Sequence, residues 1–261
     1  MPQPVPRSDF LSHDAAKAQQ DSPPLLETRW LTKDFGGVHA VAGIDFRVRH
    51  GELRCLIGPN GAGKSTFFKM LAGQLRPTRG AILFDGREIT ALPQHKIARL
   101  GIGIKNQVPS VWDGLSVYEH LWIAALRRND ARAAAGRAEE LLVELGLGSV
   151  ARRRVGALSH GERQWVEIGM VIAQNPALML LDEPTAGMAA DEVERTAELL
   201  LIVNRKTSII VVEHDMQFIQ KIAGTVTVFH QGRVLVEDTM ENVLANARVR
   251  EVYLGSGRAA G

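Results

Sequence analysis

Residues 58 to 65 read Gly58-Pro59-Asn60-Gly61-Ala62-Gly63-Lys64-Ser65, a G-x-x-x-x-G-K-[ST] string whose residue types suit one kind of ligand, a phosphate chain. Glycines let the backbone curl until successive N–H groups converge on phosphate oxygens. A helix opening at Lys64 turns its positive dipole end toward the same anion. Lys64 is expected to reach the β- and γ-phosphates and the Ser65 hydroxyl to ligate Mg²⁺, with the binding set running on to Thr66. The string alone does not select a reaction, because kinases, GTPases and motor ATPases share it. A GTPase would need a base-reading motif such as N-K-x-D, and the sequence contains none.

A second group of residues could complete that chemistry. Leu178-Met179-Leu180-Leu181 is a continuous apolar run, as in a strand buried on both faces of a parallel sheet, and it ends in Asp182-Glu183. In an open α/β sheet, acidic residues at the carboxyl edge are expected beside the phosphate loop of the neighbouring strand. Asp182 can then hold Mg²⁺, and Glu183 can orient the attacking water or take its proton. The bland reading is a carboxylate pair that merely caps the next segment. Gly101-Ile102-Gly103 lacks the third glycine of a dinucleotide fingerprint and is set aside.

The elements that must position these residues follow from periodicity. Residues 44–49 alternate apolar and polar, which predicts a strand with one buried face, and Leu53–Ile57 predicts a short buried strand running into the glycine loop. Helical spacing follows from Thr66 to about Leu75, and a strand at Ala81–Phe84 closes on the hairpin pair Asp85-Gly86. Residues 117–147 turn helical. A helix over about Asp191–Arg205, a buried strand at Ser208–Val212 and a hairpin over residues 226–236 complete an α/β pattern with early antiparallel strands and a helical block mid-chain.

Composition narrows the partners. The chain has 261 residues, with 31 basic and 29 acidic side chains, so no excess of positive charge argues for wrapping nucleic acid. The single Cys55 cannot form an internal disulfide and reads as a small buried strand residue. Residues 1–24 carry five prolines and no apolar run, which predicts a flexible tail, as do residues 256–261 at the other end. No stretch reaches the ~18 apolar residues of a membrane span, so work at a membrane requires another chain to provide the crossing.

Together with Leu158-Ser159-His160-Gly161-Glu162-Arg163-Gln164, these strings resemble the ATP-binding subunits of ABC transporters over about residues 25–255. The resemblance implies a P-loop NTPase core with a mostly parallel sheet, an N-terminal antiparallel β subdomain and a helical subdomain over about residues 108–165. It implies ATP and Mg²⁺ as ligands, and ATP hydrolysis as the activity. Residues 158–164 are similar to the family's L-S-G-G-Q signature, so Ser159, Gly161 and Glu162 are expected to meet the γ-phosphate held by a second subunit. Ser159 and Glu162 also make a capping box, and one helix end can serve both purposes. By the same resemblance Gln107 falls at the Q-loop glutamine, touching Mg²⁺ or water. His214 falls at the switch histidine facing the γ-phosphate, and Phe35, ahead of Trp30, at the aromatic platform for adenine.

Three departures stand out. His160 replaces the usual glycine, Glu162 stands where glutamine is common, and Ala189 and Ala190 occupy the stretch after Met188 where the family places aspartate. The partners implied are a homodimer, or a heterodimer with a related ATPase subunit, on transmembrane permease subunits, with a periplasmic solute-binding protein acting indirectly. That assembly would sit peripherally on the cytoplasmic face of the inner membrane. Arg99–Gly103, Val108–Trp112, Ser159–Trp165 and Glu251–Gly255 resemble importers of urea, short-chain amides and branched-chain amino acids, and the histidine-containing signature and the Pro109-Ser110 segment favour the urea branch. A soluble ABC-type ATPase of translation or repair, and a module that binds nucleotide without hydrolysis, are the competing readings. Val111, Trp112, Leu115 and Val117 read equally as docking contacts or as core.

Overall fold

The computed structural model describes residues 23–106 and 111–255. The expectations for the tail before residue 23, for Gln107–Ser110 and for residues 256–261 lie outside that range. Two sheets build the chain. In the first, β1 (Leu26–Phe35) pairs antiparallel with β2 (Val38–Val48) on one side and β4 (Arg79–Phe84) on the other, and β5 (Arg87–Glu88) completes the edge. A bulge interrupts β1 where Trp30 takes φ 49°, so the strand register shifts between Thr28 and Leu31. The Asp85-Gly86 hairpin forms as expected, with both residues at positive φ (48° and 71°), the geometry of a type I′ turn.

The second sheet runs in the order β10-β9-β3-β8-β7-β6. It comprises β3 (Leu53–Ile57), β6 (Ile102–Lys105), β7 (Leu178–Asp182), β8 (Ser208–Val212), β9 (Thr225–His230) and β10 (Arg233–Asp238). All its pairings are parallel except the β9–β10 hairpin. The five residues of β3, of β7 and of β8 are all buried, and alternate residues feed two different cores. Leu178, Leu180, Ile210 and Val212 join the cluster built by Phe67, Phe68 and Leu71 of α1 (Lys64–Leu71) and by the first sheet. Met179, Leu181, Ile209 and Val211 face the helical side. A period of two with both faces covered explains why these strands read as unbroken apolar runs.

The helical block differs from a single long helix. α2 (Gln94–Leu100) precedes β6, and the stretch from Val117 onward divides into α3 (Val117–Ala125) and α4 (Ala131–Glu144). The break falls where Asp130 caps α4 by accepting from the Ala133 N–H, a start signal inside an otherwise helical composition. α5 (His160–Ala173) packs on both and is followed by β7 and α6 (Ala190–Asn204). The short α7 (Met216–Ile222), α8 (Met240–Ala245) and α9 (Ala247–Gly255) close the chain. The core-or-docking ambiguity after residue 110 separates by burial: Val117 is fully buried, Val111 packs against the core, and Trp112 is 57% exposed. Cys55 is buried as expected, and burial pushes its thiol well above the usual range, so it stays protonated. Among the described residues no helix is long and apolar enough to cross a membrane.

Candidate functional site

Register places the chemistry. Leu56 of β3 and Asp182 of β7 both pair with Val212 of β8, so the loops leaving β3, β7 and β8 depart from one level of the sheet edge. One expectation needs correction here. Asp182 does not lie on the strand neighbouring the phosphate loop, because β8 stands between, and at the usual strand spacing the two are roughly 10 Å apart in the sheet. The loop over residues 58–63 packs closely on β9 and β2 as it leaves β3. Two glycines make this packing possible. A Cβ on Gly58 (φ 147°) would stand 2.3 Å from the Phe229 carbonyl oxygen, and one on Gly63 (φ 101°) 2.4 Å from that of Ala40.

α1 opens directly from Gly63 with no side-chain cap and no acid in its first turn. Its leading N–H groups are thus left for an anion, whereas Ser116, Asp130, Ser159, Asp215 and Thr239 cap their helices with side-chain oxygens. The Lys64 ammonium is half-buried and donates to the carbonyls of Gly58 (2.6 Å) and Pro59 (3.0 Å). Burial lowers its pKa, and the charges of Glu183 and Asp182 oppose that shift, which puts the carboxylate pair within electrostatic reach of the ammonium. Ser65 is exposed at the same helix end.

Asp182 is buried, and its pKa is raised first by burial and then by the charge of Glu183, with Lys105 and Lys69 pulling the other way. Glu183 sits at φ 47°, in the left-handed region, which turns the chain sharply at the strand end. Its carboxylate lies 3.6 Å from His214 Nδ1. The hub of this edge is a residue that motif reading passed over. Glu213 is almost wholly buried, and its carboxylate accepts from the Thr185 N–H and hydroxyl (3.2 and 2.5 Å) and from the His214 N–H (2.9 Å). It thereby ties the loop after β7 to the loop after β8. Glu213→Ala would strand those donors in a buried setting and should lower stability by about 3 kcal/mol, read as an earlier urea midpoint at unchanged slope.

Three further residues could not be found from local strings. Lys105, at the end of β6, is buried with its ammonium 3.6 Å from the Glu167 carboxylate of α5, and burial lowers its pKa. Asn106, next in the chain, accepts from Gln74 just past α1 (2.6 Å). Tyr253 of α9 reaches back so that its phenol oxygen shares a hydrogen bond with the Gly58 backbone, and burial pushes this phenol up to about 12. Only the C-terminal position of Tyr253 in the Glu251–Gly255 string hinted at it. Gln107 lies outside the described residues.

The remaining expected residues occupy two other places. Phe35 ends β1, 49% exposed, with the Lys33 ammonium 5.0 Å above its ring; Trp30 lies on the β1 bulge, 66% exposed. The capping box at α5 is present: Ser159 Oγ accepts from the Glu162 N–H (3.2 Å), and the Ser159 N–H donates to Glu162 (2.9 Å). Gly161 behind it is buried against the Glu192 carboxylate of α6, so a Cβ there would collide with that side chain.

A profile described as ABC transporter matches residues 41–186, more than half of the chain. The high-affinity branched-chain amino acid transport ATP-binding protein BraF of Pseudomonas aeruginosa is 34% identical over 252 residues, covering 90% of this chain and 99% of that protein. The lipopolysaccharide export system ATP-binding protein LptB of Acidithiobacillus ferridurans is 35% identical over 239 residues, covering 88% of this chain and 97% of its own. Among solved structures, MJ1267, an ATP-binding cassette of an ABC transporter, matches with a TM-score of 0.80 at 26% identity, covering 89% of this chain and 99% of that one. The cbiO1 protein of Clostridium perfringens, part of the ABC transporter complex cbiONQ, matches with a TM-score of 0.78 at 30% identity, covering 91% and 97%.

Proposed function

This chain belongs to the ABC transporter family as an ATP-binding subunit with ATPase activity, and from that premise we propose that paired copies on transmembrane permease subunits hydrolyse Mg²⁺-bound ATP to drive uptake of urea or a short-chain amide. The convergence of Lys64, Asp182, Glu183 and His214 at one sheet edge carries the catalytic part of this reading.

The residues fit a bound Mg²⁺. Two adjacent carboxylates, one of them buried and raised in pKa, describe a site short of positive charge. A cation there would be held by the Ser65 hydroxyl, Asp182 and phosphate oxygens. When bound, the ion would neutralise charge building on the transferring phosphoryl group. Lys64 would exchange its loop carbonyls for β- and γ-phosphate oxygens, and the uncapped end of α1 would supply N–H donors. Glu183 would orient the attacking water and accept its proton, with His214 beside it facing the γ-phosphate. Phe35 would stack on adenine. Ser159, Gly161 and Glu162 would close the site held by the second copy. Gln107 belongs to the proposed set as the residue reporting nucleotide state.

The cargo assignment rests on the Ser159-His160-Gly161-Glu162-Arg163-Gln164-Trp165 string and on the Pro109-Ser110 segment. A second reading, a branched-chain amino acid importer, is favoured by the similarity to BraF. The comparable similarity to LptB indicates that overall identity does not select the cargo. The test is uptake of labelled urea, acetamide and leucine in cells with and without this chain. Loss of urea or acetamide uptake alone supports the proposal. Loss of leucine uptake alone transfers it to the second reading, and no change in any of the three removes the importer role.

A further inference from the structure

His160 stands where the family has glycine, and the structure shows what the ring touches. Its Nε2 lies 2.9 Å from the Ala186 carbonyl oxygen, in the turn that links Glu183 to α6. A carbonyl oxygen only accepts, so His160 carries its proton on Nε2 and donates. The same Nε2 lies 3.3 Å from the Gln164 side-chain amide, one turn along α5. Gln164 is 95% buried. The ring is held to the turn by its bond to the Ala186 carbonyl. The far side of the turn is closed too: a Cβ on Gly187 would stand 3.1 Å from the ring.

Ala186 joins this contact to the catalytic carboxylate. Its N–H donates to the Glu183 carbonyl (3.3 Å), while its own carbonyl receives the His160 proton. A two-bond path thus runs from the backbone of Glu183, at its left-handed φ, to the first residue of α5. Gly161 is seated beside it on the Glu192 carboxylate, whose other oxygen accepts from the Ala189 N–H at the start of α6. The stretch that lacks the family's aspartate is therefore fastened to the signature tip of the same chain.

We propose that His160 is a positioning residue: by binding the Ala186 carbonyl it fixes the Ser159–Gly161 tip relative to Glu183, so that the surface offered to a second copy is set by the state of its own catalytic loop. This rests on the proposed role of that tip in closing the second copy's site. It requires that loss of His160 spare nucleotide binding to the single chain, because Lys64 and α1 do not touch it, and weaken pairing of copies.

The experiment uses the full chain with three substitutions. Glu183→Gln provides a background in which ATP-dependent dimers accumulate and are measured by light scattering against protein concentration. In that background His160→Ala should raise the concentration for half-dimerisation on the order of 5- to 10-fold, about the worth of one hydrogen bond. Affinity for a fluorescent ATP analogue should stay unchanged, and the melting temperature should drop by only the few degrees that one lost intrachain hydrogen bond costs. His160→Gln, which keeps a terminal N–H at comparable reach, should restore dimerisation. Unchanged dimerisation in His160→Ala, or equal defects in the Ala and Gln variants, overturns the positioning role. Failure of the Glu183→Gln parent to dimerise at all would instead overturn the closing role of the tip, and the two failures are thereby told apart.

Discussion

Glu183→Gln is expected to bind ATP with undiminished affinity while turnover at saturating ATP falls ~10²–10⁴-fold, the usual cost of removing a catalytic base. Geometry makes this substitution a clean one. Glu183 anchors its left-handed backbone through its own N–H, which donates to the Val212 carbonyl (2.9 Å), and glutamine keeps that bond. An amide has nearly the carboxylate's shape but cannot take a proton from water. Removing one negative charge also relieves the pair repulsion that raises the pKa of Asp182 and would oppose an incoming triphosphate. Binding is therefore preserved while chemistry stops, and dimers closed on ATP should outlast those of the wild type. Phosphate release and gel filtration in ATP check both halves. Native turnover in this variant would remove Glu183 from the mechanism and leave His214 as the group to test.

Lys64→Ala is expected to act on the other parameter, weakening ATP affinity about 10- to 100-fold, as charge-assisted hydrogen bonds worth about 1.5–3 kcal/mol are lost. The ammonium is prepositioned: it is half-buried and bonded to the carbonyls of Gly58 and Pro59, at the mouth of the loop it would serve. These carbonyls also show why Arg is a poor substitute, since a planar fork cannot occupy the seat of a compact ammonium. Titration with a fluorescent nucleotide, alongside a melting curve, separates lost affinity from lost fold. Unchanged affinity would discard the phosphate role of the loop. Glu183→Gln and Lys64→Ala thus predict opposite signatures, one in kcat and one in binding.

The structure also explains which parts of the site were legible beforehand. Gly58–Ser65 and Leu178–Glu183 are contiguous strings whose local geometry follows from residue type: glycines where a Cβ would strike a carbonyl, apolar residues where both strand faces are covered, a carboxylate where the strand ends. The capping box at Ser159 was readable for the same reason, because a cap and its partner lie three residues apart. The helix break at Asp130 was local as well, but helical composition on both sides masked the cap.

Other features depend on contacts between residues distant in the chain. Glu213 had no legible role until the parallel register set the end of β8 against the loop after β7, giving its carboxylate Thr185 to hold. The link from His160 to Ala186 spans 26 positions, and nothing in either neighbourhood announces it. The same holds for the placing of β8 between the phosphate loop and Asp182, since strand order is a property of crossovers and not of strands. The sequence by itself determined which groups are available, a phosphate loop, a carboxylate pair, a histidine and a capped helix tip, because each is chemistry written within a few residues. Only the tertiary structure decided that the loops carrying Lys64, Asp182, Glu183 and His214 leave one edge of the sheet, and that the tip at Ser159 is tied through His160 to the turn after Glu183. Distances between segments are fixed by sheet register and core packing, which no single segment contains.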